Sequence, residues 1–133
     1  MRILLADRQD ITRMGLVHII QQMNVGDKKE MPGIEWKYVE DKAELMLALK
    51  DDDDAVVVLD YTLFDINDAD ELLILHQRFT HTRWLLFSED VSVDFVRVLI
   101  ASSTQFSILT KDSQLSEIKA ALLYCVQGNR FIC

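Results

Sequence analysis

Five short strand-like runs punctuate this chain, and four of them close on a polar residue with chemistry of its own. Arg2-Ile3-Leu4-Leu5-Ala6 ends at Asp7, Ala55-Val56-Val57-Val58-Leu59 at Asp60, Arg83-Trp84-Leu85-Leu86-Phe87 at Ser88, and Phe106-Ser107-Ile108-Leu109-Thr110 at Lys111. The first two are short and unbroken, which marks strands buried on both faces. The fifth run, Ile34-Glu35-Trp36-Lys37-Tyr38-Val39, alternates apolar and polar residues and reads as a half-exposed edge strand.

Helical periodicity fills the intervals. Ile11, Met14, Leu16, Val17, Ile20 and Met23 predict a helix over about 10–23 with Asp10 at its N-cap, followed by a loop from Asn24 to Gly33 that holds Gly26, Pro32 and Gly33. Asp41-Lys42-Ala43-Glu44 is a capping-box pattern opening a helix to about Lys50. Asp51–Asp54 is read as a solvated loop ahead of the most buried strand. Leu72, Leu73 and Leu75 place a helix over 68–79, and Phe95, Val96, Val98 and Leu99 place another over 92–102. Ser113 is the expected cap of a last helix carrying Leu115, Ile118, Ala121, Leu122 and Cys125, stopped by Gly128. Five β/α units in alternation predict a parallel sheet with helices on both faces and right-handed crossovers.

Composition narrows the function. At 133 residues the chain is one domain, and half of it is hydrophobic with little Gly or Pro, as in an ordinary globule. The net charge of −8 is unsuited to phosphate contact, so this segment itself is not expected to bind nucleic acid. There is no run of about 18 apolar residues to span a membrane. No charged-then-apolar leader precedes the first strand, so the expected location is the cytoplasm, with Cys125 and Cys133 as free thiols. His18, His76 and His81 have no ligand spacing, and Trp36 and Trp84 read as packing residues.

Ligands of open α/β sheets bind at the carboxyl ends of the strands. Asp7, Asp60, Ser88 and Lys111 all lie there, and two carboxylates at neighbouring strand ends suit a metal or phosphoryl chemistry. Two acids, a hydroxyl and a lysine at successive strand ends resemble the receiver domain of two-component response regulators, over essentially the whole chain. The closing stretches Leu109-Thr110-Lys111-Asp112-Ser113 and Gly128-Asn129-Arg130-Phe131-Ile132 are similar to receivers that precede a LuxR-type helix-turn-helix domain. The resemblance implies a flavodoxin-like (CheY-like) three-layer sandwich with strand order 2-1-3-4-5. It implies that Asp60 accepts a phosphoryl group from the phosphohistidine of a sensor histidine kinase, with no enzyme activity beyond that exchange. Asp7, Asp60 and the backbone carbonyl of Thr62 would hold Mg²⁺, and Ser88 and Lys111 would contact phosphoryl oxygens. DNA would be bound only through an output domain outside residues 1–133, and a homodimer is among the implied assemblies.

Several positions depart from that family pattern. A second acid usually follows the first; here it is Arg8, and a guanidinium about 5 Å from a divalent cation repels it by several kcal/mol at an effective dielectric near 20. The residue after Ser88, usually small, is Glu89. Leu63-Phe64-Asp65-Ile66 lacks the usual Pro and Gly, and Ile108 stands where an aromatic residue is usual. Arg8 is accordingly expected to lean into the pocket as a built-in counter-ion to Asp60 or Asp7, the alternative being that it points to solvent; Asp10, if not simply the N-cap, would partly replace the missing acid. The alternative function is a phosphorylation-independent interaction or dimerisation module. Two other classes fit poorly. A haloacid-dehalogenase-type phosphatase would need an Asp where Val58 stands. A flavodoxin would need a hydroxyl-rich loop in place of Arg8-Gln9-Asp10-Ile11-Thr12.

Overall fold

The computed structural model describes residues 1–26, 33–62 and 64–132, the side chains of 24–26 excepted. Five strands alternate with five helices: β1 (Arg2–Ala6), α1 (Asp10–Gly26), β2 (Glu35–Tyr38), α2 (Lys42–Asp51), β3 (Ala55–Leu59), α3 (Ala69–Arg78), β4 (Arg83–Ser88), α4 (Val93–Ser102), β5 (Phe106–Thr110) and α5 (Leu115–Val126). The strands form one sheet in the order β2-β1-β3-β4-β5, parallel at every pairing. The expected flavodoxin-like order is therefore the observed one. Most of the loop expected over Asn24–Gly33 lies outside the described residues, as do Leu63 and Cys133; the helix expected to stop near 23 runs on to Gly26.

Period-two alternation along the strands divides the core in two. Leu4, Val57, Leu59, Trp84, Leu86 and Phe106 face α2, α3 and α4, where they meet Leu45, Leu49, Leu72, Leu75 and Leu99. Ile3, Leu5, Val56, Val58, Leu85 and Phe87 face α1 and α5, against Leu16, Ile20, Met23, Ala121 and Leu122. All of β3 is buried, so its run of β-branched residues carries both layers. β2, by contrast, is an edge strand whose Glu35, Trp36 and Lys37 face solvent.

The caps set the loops that reach the sheet's carboxyl edge. Asp41 accepts from the Glu44 amide at 2.8 Å, and the Glu44 carboxylate takes the Glu40 amide at 2.8 Å, one residue earlier than a standard capping box. Asp68 and Glu71 repeat the device on α3, with Glu71 accepting from Asn67. Two expectations need correction. Asp10 is not a cap: it is the first residue of α1, its side chain is exposed, and the helix's first carbonyl acceptor is Gln9. Ser113 does not cap α5 either. Gln114 occupies that place without a side-chain bond, because the Ser113 hydroxyl lies against Thr110, and Leu115 is left exposed. On α4 only Leu99 is fully buried, and Val98 faces out.

α5 ends in a Schellman turn. The Gly128 amide bonds the Cys125 carbonyl, the Asn129 amide bonds the Tyr124 carbonyl, and Gly128 sits at φ +86°. The chain then returns to the sheet, where the Phe131 amide meets the Ser107 hydroxyl, the Ile108 amide meets the Phe131 carbonyl, and Ile132 forms a parallel bridge to Ile108. This segment covers part of the free edge of β5.

Candidate functional site

Parallel pairing brings the carboxyl ends of β1, β3, β4 and β5 side by side, and the backbone ladder continues past them. The Asp60 amide bonds the Ala6 carbonyl at 3.1 Å, and the Lys111 amide bonds the Ser88 carbonyl at 3.0 Å. Asp7, Asp60, Ser88 and Lys111 are thereby fixed at one edge of the sheet, each on rigid backbone. Asp7, Asp60 and Ser88 are buried, and only 8% of the Lys111 side chain is exposed.

The Asp60 carboxylate is contacted on both oxygens. Oδ2 lies 2.7 Å from Lys111 Nζ. Oδ1 accepts from the Ser88 hydroxyl at 2.8 Å, the Thr62 hydroxyl at 2.6 Å and the Thr62 amide at 3.0 Å. Asp7 Oδ1 accepts from the Gln9 amide at 2.9 Å, while Oδ2 faces Lys111 Nζ at 3.0 Å as an ion pair without hydrogen-bond alignment. The third neighbour of the ammonium is Gln9 Oε1 at 3.0 Å. Burial alone would raise the pKa of Asp60. Lys111, Thr62 and Ser88 together outweigh it and hold the carboxyl below its ordinary range. Burial likewise opposes the charge on Lys111, and the two carboxylates overcome it and raise the lysine above its ordinary value. The pair is ionised across the physiological range.

Beside Asp60 lies a cavity of about 180 Å³ lined by Gln9, Asp60, Thr62, Glu89, Asp90 and Lys111. It opens beside Asp60 and Lys111, and Glu89 and Asp90 give its lining a negative character. The Mg²⁺ implied by the family resemblance does not fit the residues as arranged. An octahedral ion wants oxygen ligands at about 2.0–2.1 Å. Here Lys111 Nζ stands between the two carboxylates, and the remaining oxygens accept from protein donors. Among the described residues no three acidic, histidine or cysteine side chains cluster as a metal would require. Thr62 acts through its amide and hydroxyl as an anchor for Asp60.

The expected counter-ion is corrected. Arg8 is exposed, donates from Nε to the Glu40 carbonyl at 3.3 Å, and carries its guanidinium 5.8 Å above the Phe64 ring. Successive side chains on extended backbone point to opposite sides, so with Asp7 turned inward Arg8 turns outward. Lys111 holds the place assigned to it. Asp10 does not reach the pocket either; its ionic neighbour is Arg13 at 4.0 Å. Sequence reasoning passed over three contributors. Gln9 contacts Lys111. Arg13 Nε donates to the Asp7 carbonyl while its guanidinium pairs with Glu40 at 3.0 Å. The Tyr61 ring stacks on Phe95 at 4.1 Å, and its hydroxyl accepts from the Ser92 amide and donates to the Asp90 carbonyl. Only their adjacency to Asp7 and Asp60 could have flagged Gln9 and Tyr61.

Comparison with known proteins bears on this edge of the sheet. No family model and no curated protein sequence matches the chain. Solved structures do match along nearly its full length. A LuxR-family two-component response regulator from Aurantimonas sp. SI85-9A1 has 23% identity and a TM-score of 0.72, with 98% of this chain and 87% of that one covered. The isolated REC domain of RcsB from Salmonella enterica serovar Typhimurium, solved with phosphomimetic BeF₃⁻, has 16% identity and a TM-score of 0.74, covering 100% and 93%. A signal receiver domain of an HD-domain-containing protein from Pseudomonas fluorescens Pf-5 has 18% identity and a TM-score of 0.75, covering 96% and 87%. At such identities the shared property is the fold, and the chain has the fold of response-regulator receiver domains.

Proposed function

We propose that this chain is the receiver module of a two-component response regulator, with Asp60 as the acceptor of a phosphoryl group. The observation that carries this reading is the placement of Asp60 between Ser88 at 2.8 Å and Lys111 at 2.7 Å, beside a cavity of about 180 Å³. The Asp60 carboxylate is the nucleophile. It attacks the phosphorus of a phosphohistidine on a sensor kinase, the P–N bond breaks as the P–O bond forms, and the imidazole leaves with the electron pair. The Ser88 hydroxyl and the Lys111 ammonium, both in contact with Asp60, would donate to oxygens of the acyl phosphate and offset charge that Asp7, Glu89 and Asp90 would otherwise oppose. The output of this module would be a DNA-binding domain outside residues 1–133, since a charge of −8 suits no nucleic-acid contact by this segment. No described helix is long and apolar enough to cross a membrane; the proposed setting is the cytoplasm, where such a kinase presents its phosphohistidine.

One observation favours a second reading, that of a phosphorylation-independent interaction or dimerisation module. Lys111 already forms ion pairs with both carboxylates, and no acid follows Asp7 to recruit a metal. Beryllofluoride titration followed by NMR separates the two. The acceptor reading expects saturable shifts at residues 60–62, 88–90 and 111 that vanish in Asp60→Asn. A spectrum indifferent to beryllofluoride, with or without Mg²⁺, supports the second reading.

A further inference from the structure

Gln9 stands at the place where the chain leaves β1 and enters α1, and its side chain is tied at both ends of the site. Its Oε1 accepts from Lys111 Nζ at 3.0 Å and from the Thr12 hydroxyl at 2.6 Å. Its own amide caps Asp7 Oδ1 at 2.9 Å, and its carbonyl accepts from Arg13 to start the helix. Lys111 Nζ therefore sits among three oxygens at 2.7–3.0 Å, Asp60 Oδ2, Asp7 Oδ2 and Gln9 Oε1, in a position nearly closed to water. An ammonium has three protons to place and no acceptor capacity of its own. Asp60 and Gln9 lie within hydrogen-bonding distance of it, and Asp7 Oδ2 faces it as an ion pair without hydrogen-bond alignment, so the ammonium is already turned to three protein oxygens.

We propose that Gln9 is a positioning residue for the Asp60 centre, a neutral latch that holds Lys111 across Asp7 and Asp60 until the lysine is called to a phosphoryl oxygen. The inference rests on the acceptor reading of Asp60 for its consequence, but the latch itself is a property of Lys111. Neutrality matters here. A carboxylate at position 9 would add a third negative charge to a pocket with one ammonium, whereas an amide oxygen supplies an acceptor without charge. Thr12 fixes the amide's orientation by donating to the same oxygen, which leaves the Gln9 side-chain NH₂ facing away from Lys111. The latch thus couples the first turn of α1 to the charge state of Asp60. Lys111, Gln9 and Thr12 also line a larger cavity of about 320 Å³ between α1 and α5, floored by Leu16, Ile19 and Phe87, so the lysine has space to move on that side when released.

The test compares wild type with Gln9→Met, which keeps the length and loses the acceptor, and Gln9→Glu, which keeps an acceptor. Two readouts are needed. The first is the ¹H–¹⁵N signal of the Lys111 ammonium at low temperature and mildly acidic pH. It is expected to be visible in wild type and Gln9→Glu, and lost to water exchange in Gln9→Met, with the amide spectrum of the core unchanged. The second is labelling of Asp60 by acetyl phosphate, expected to be at least about tenfold faster in Gln9→Met than in wild type. An ammonium signal equally protected in Gln9→Met overturns the latch whatever the labelling shows. A signal lost in Gln9→Met with no labelling of any variant upholds the latch and counts against the acceptor reading instead.

Discussion

Lys111 carries the charge balance of the pocket, and its removal strands two carboxylates that are each at most 1% exposed. Breaking a buried pair by deleting one partner costs about 3–5 kcal/mol. Lys111→Met should lower the unfolding free energy by that amount in urea titrations. Asp60→Asn added to it should recover part of the loss, since one of the two stranded charges is then gone. The same pair sets a pH dependence. The folded pKa of Asp60 lies below its unfolded value of about 3.9, so the unfolded state binds more protons as acid is added. The stabilisation is complete above about pH 4 and is lost as pH falls through the lower folded value; denaturant midpoints taken across that window should fall less steeply in Asp60→Asn than in wild type. At the alkaline end Lys111 acts with the opposite sign, stabilising below its ordinary value of about 10.4 and losing that contribution as pH rises through its raised folded value. Asp7, Asp60, Ser88 and Lys111 were legible because each closes a strand buried on both faces, and a parallel sheet aligns such ends. The direction of Arg8 was not legible. It depends on which of two successive residues past the strand turns inward, and that is settled by Lys111, 103 positions away in the chain. Gln9 was hidden for the same reason, since its partner is also Lys111.

Among the elements, α4 is tied to the Asp60 loop through Tyr61. The ring packs flat on Phe95 within α4, and the hydroxyl takes the Ser92 amide at 2.7 Å at the helix's N-cap. Because Tyr61 follows Asp60 directly, a shift of the Asp60 loop is carried to α4 by a short, stiff connection, and Ile108 on β5 has no hydroxyl to do this. Tyr61→Phe should leave the stack in place and cost about 1–3 kcal/mol for the two lost hydrogen bonds. Amide exchange at Ser92 and the first turn of α4 should quicken while that of β4 stays unchanged; equal exchange in both proteins would remove Tyr61 from the connection. At the far end of the domain, Gly128→Ala forces a left-handed residue and brings a Cβ to 3.1 Å from the Arg83 guanidinium. A loss of about 1–2 kcal/mol is expected from thermal unfolding. This glycine was read correctly from the sequence as the stop of α5 because φ > 0 there has few other solutions. The Ser113 cap was misread because the hydroxyl had a competing partner in Thr110, which a local pattern does not reveal.

For the molecule as a whole, the pattern of strand-like runs fixed the architecture because period and length leave little freedom once both faces of a parallel sheet must be buried. The strand order followed from the family resemblance, and solved receiver domains with TM-scores of 0.72–0.75 share it. The cation of the pocket is a side chain of the chain's own. Lys111 takes the position between the carboxylates, and Arg8 is held away by Glu40 and Phe64. Asp60 is therefore expected to accept a phosphoryl group slowly, at a rate that Mg²⁺ changes by less than roughly tenfold. Intact-protein mass spectrometry of wild type and Asp60→Asn, sampled over a time course with acetyl phosphate in Mg²⁺ and in EDTA, tests this directly. The prediction is a single phosphoryl addition to wild type in both buffers and none to Asp60→Asn. Equal addition to Asp60→Asn, no addition to wild type, or a rate that Mg²⁺ raises by more than about tenfold would contradict it.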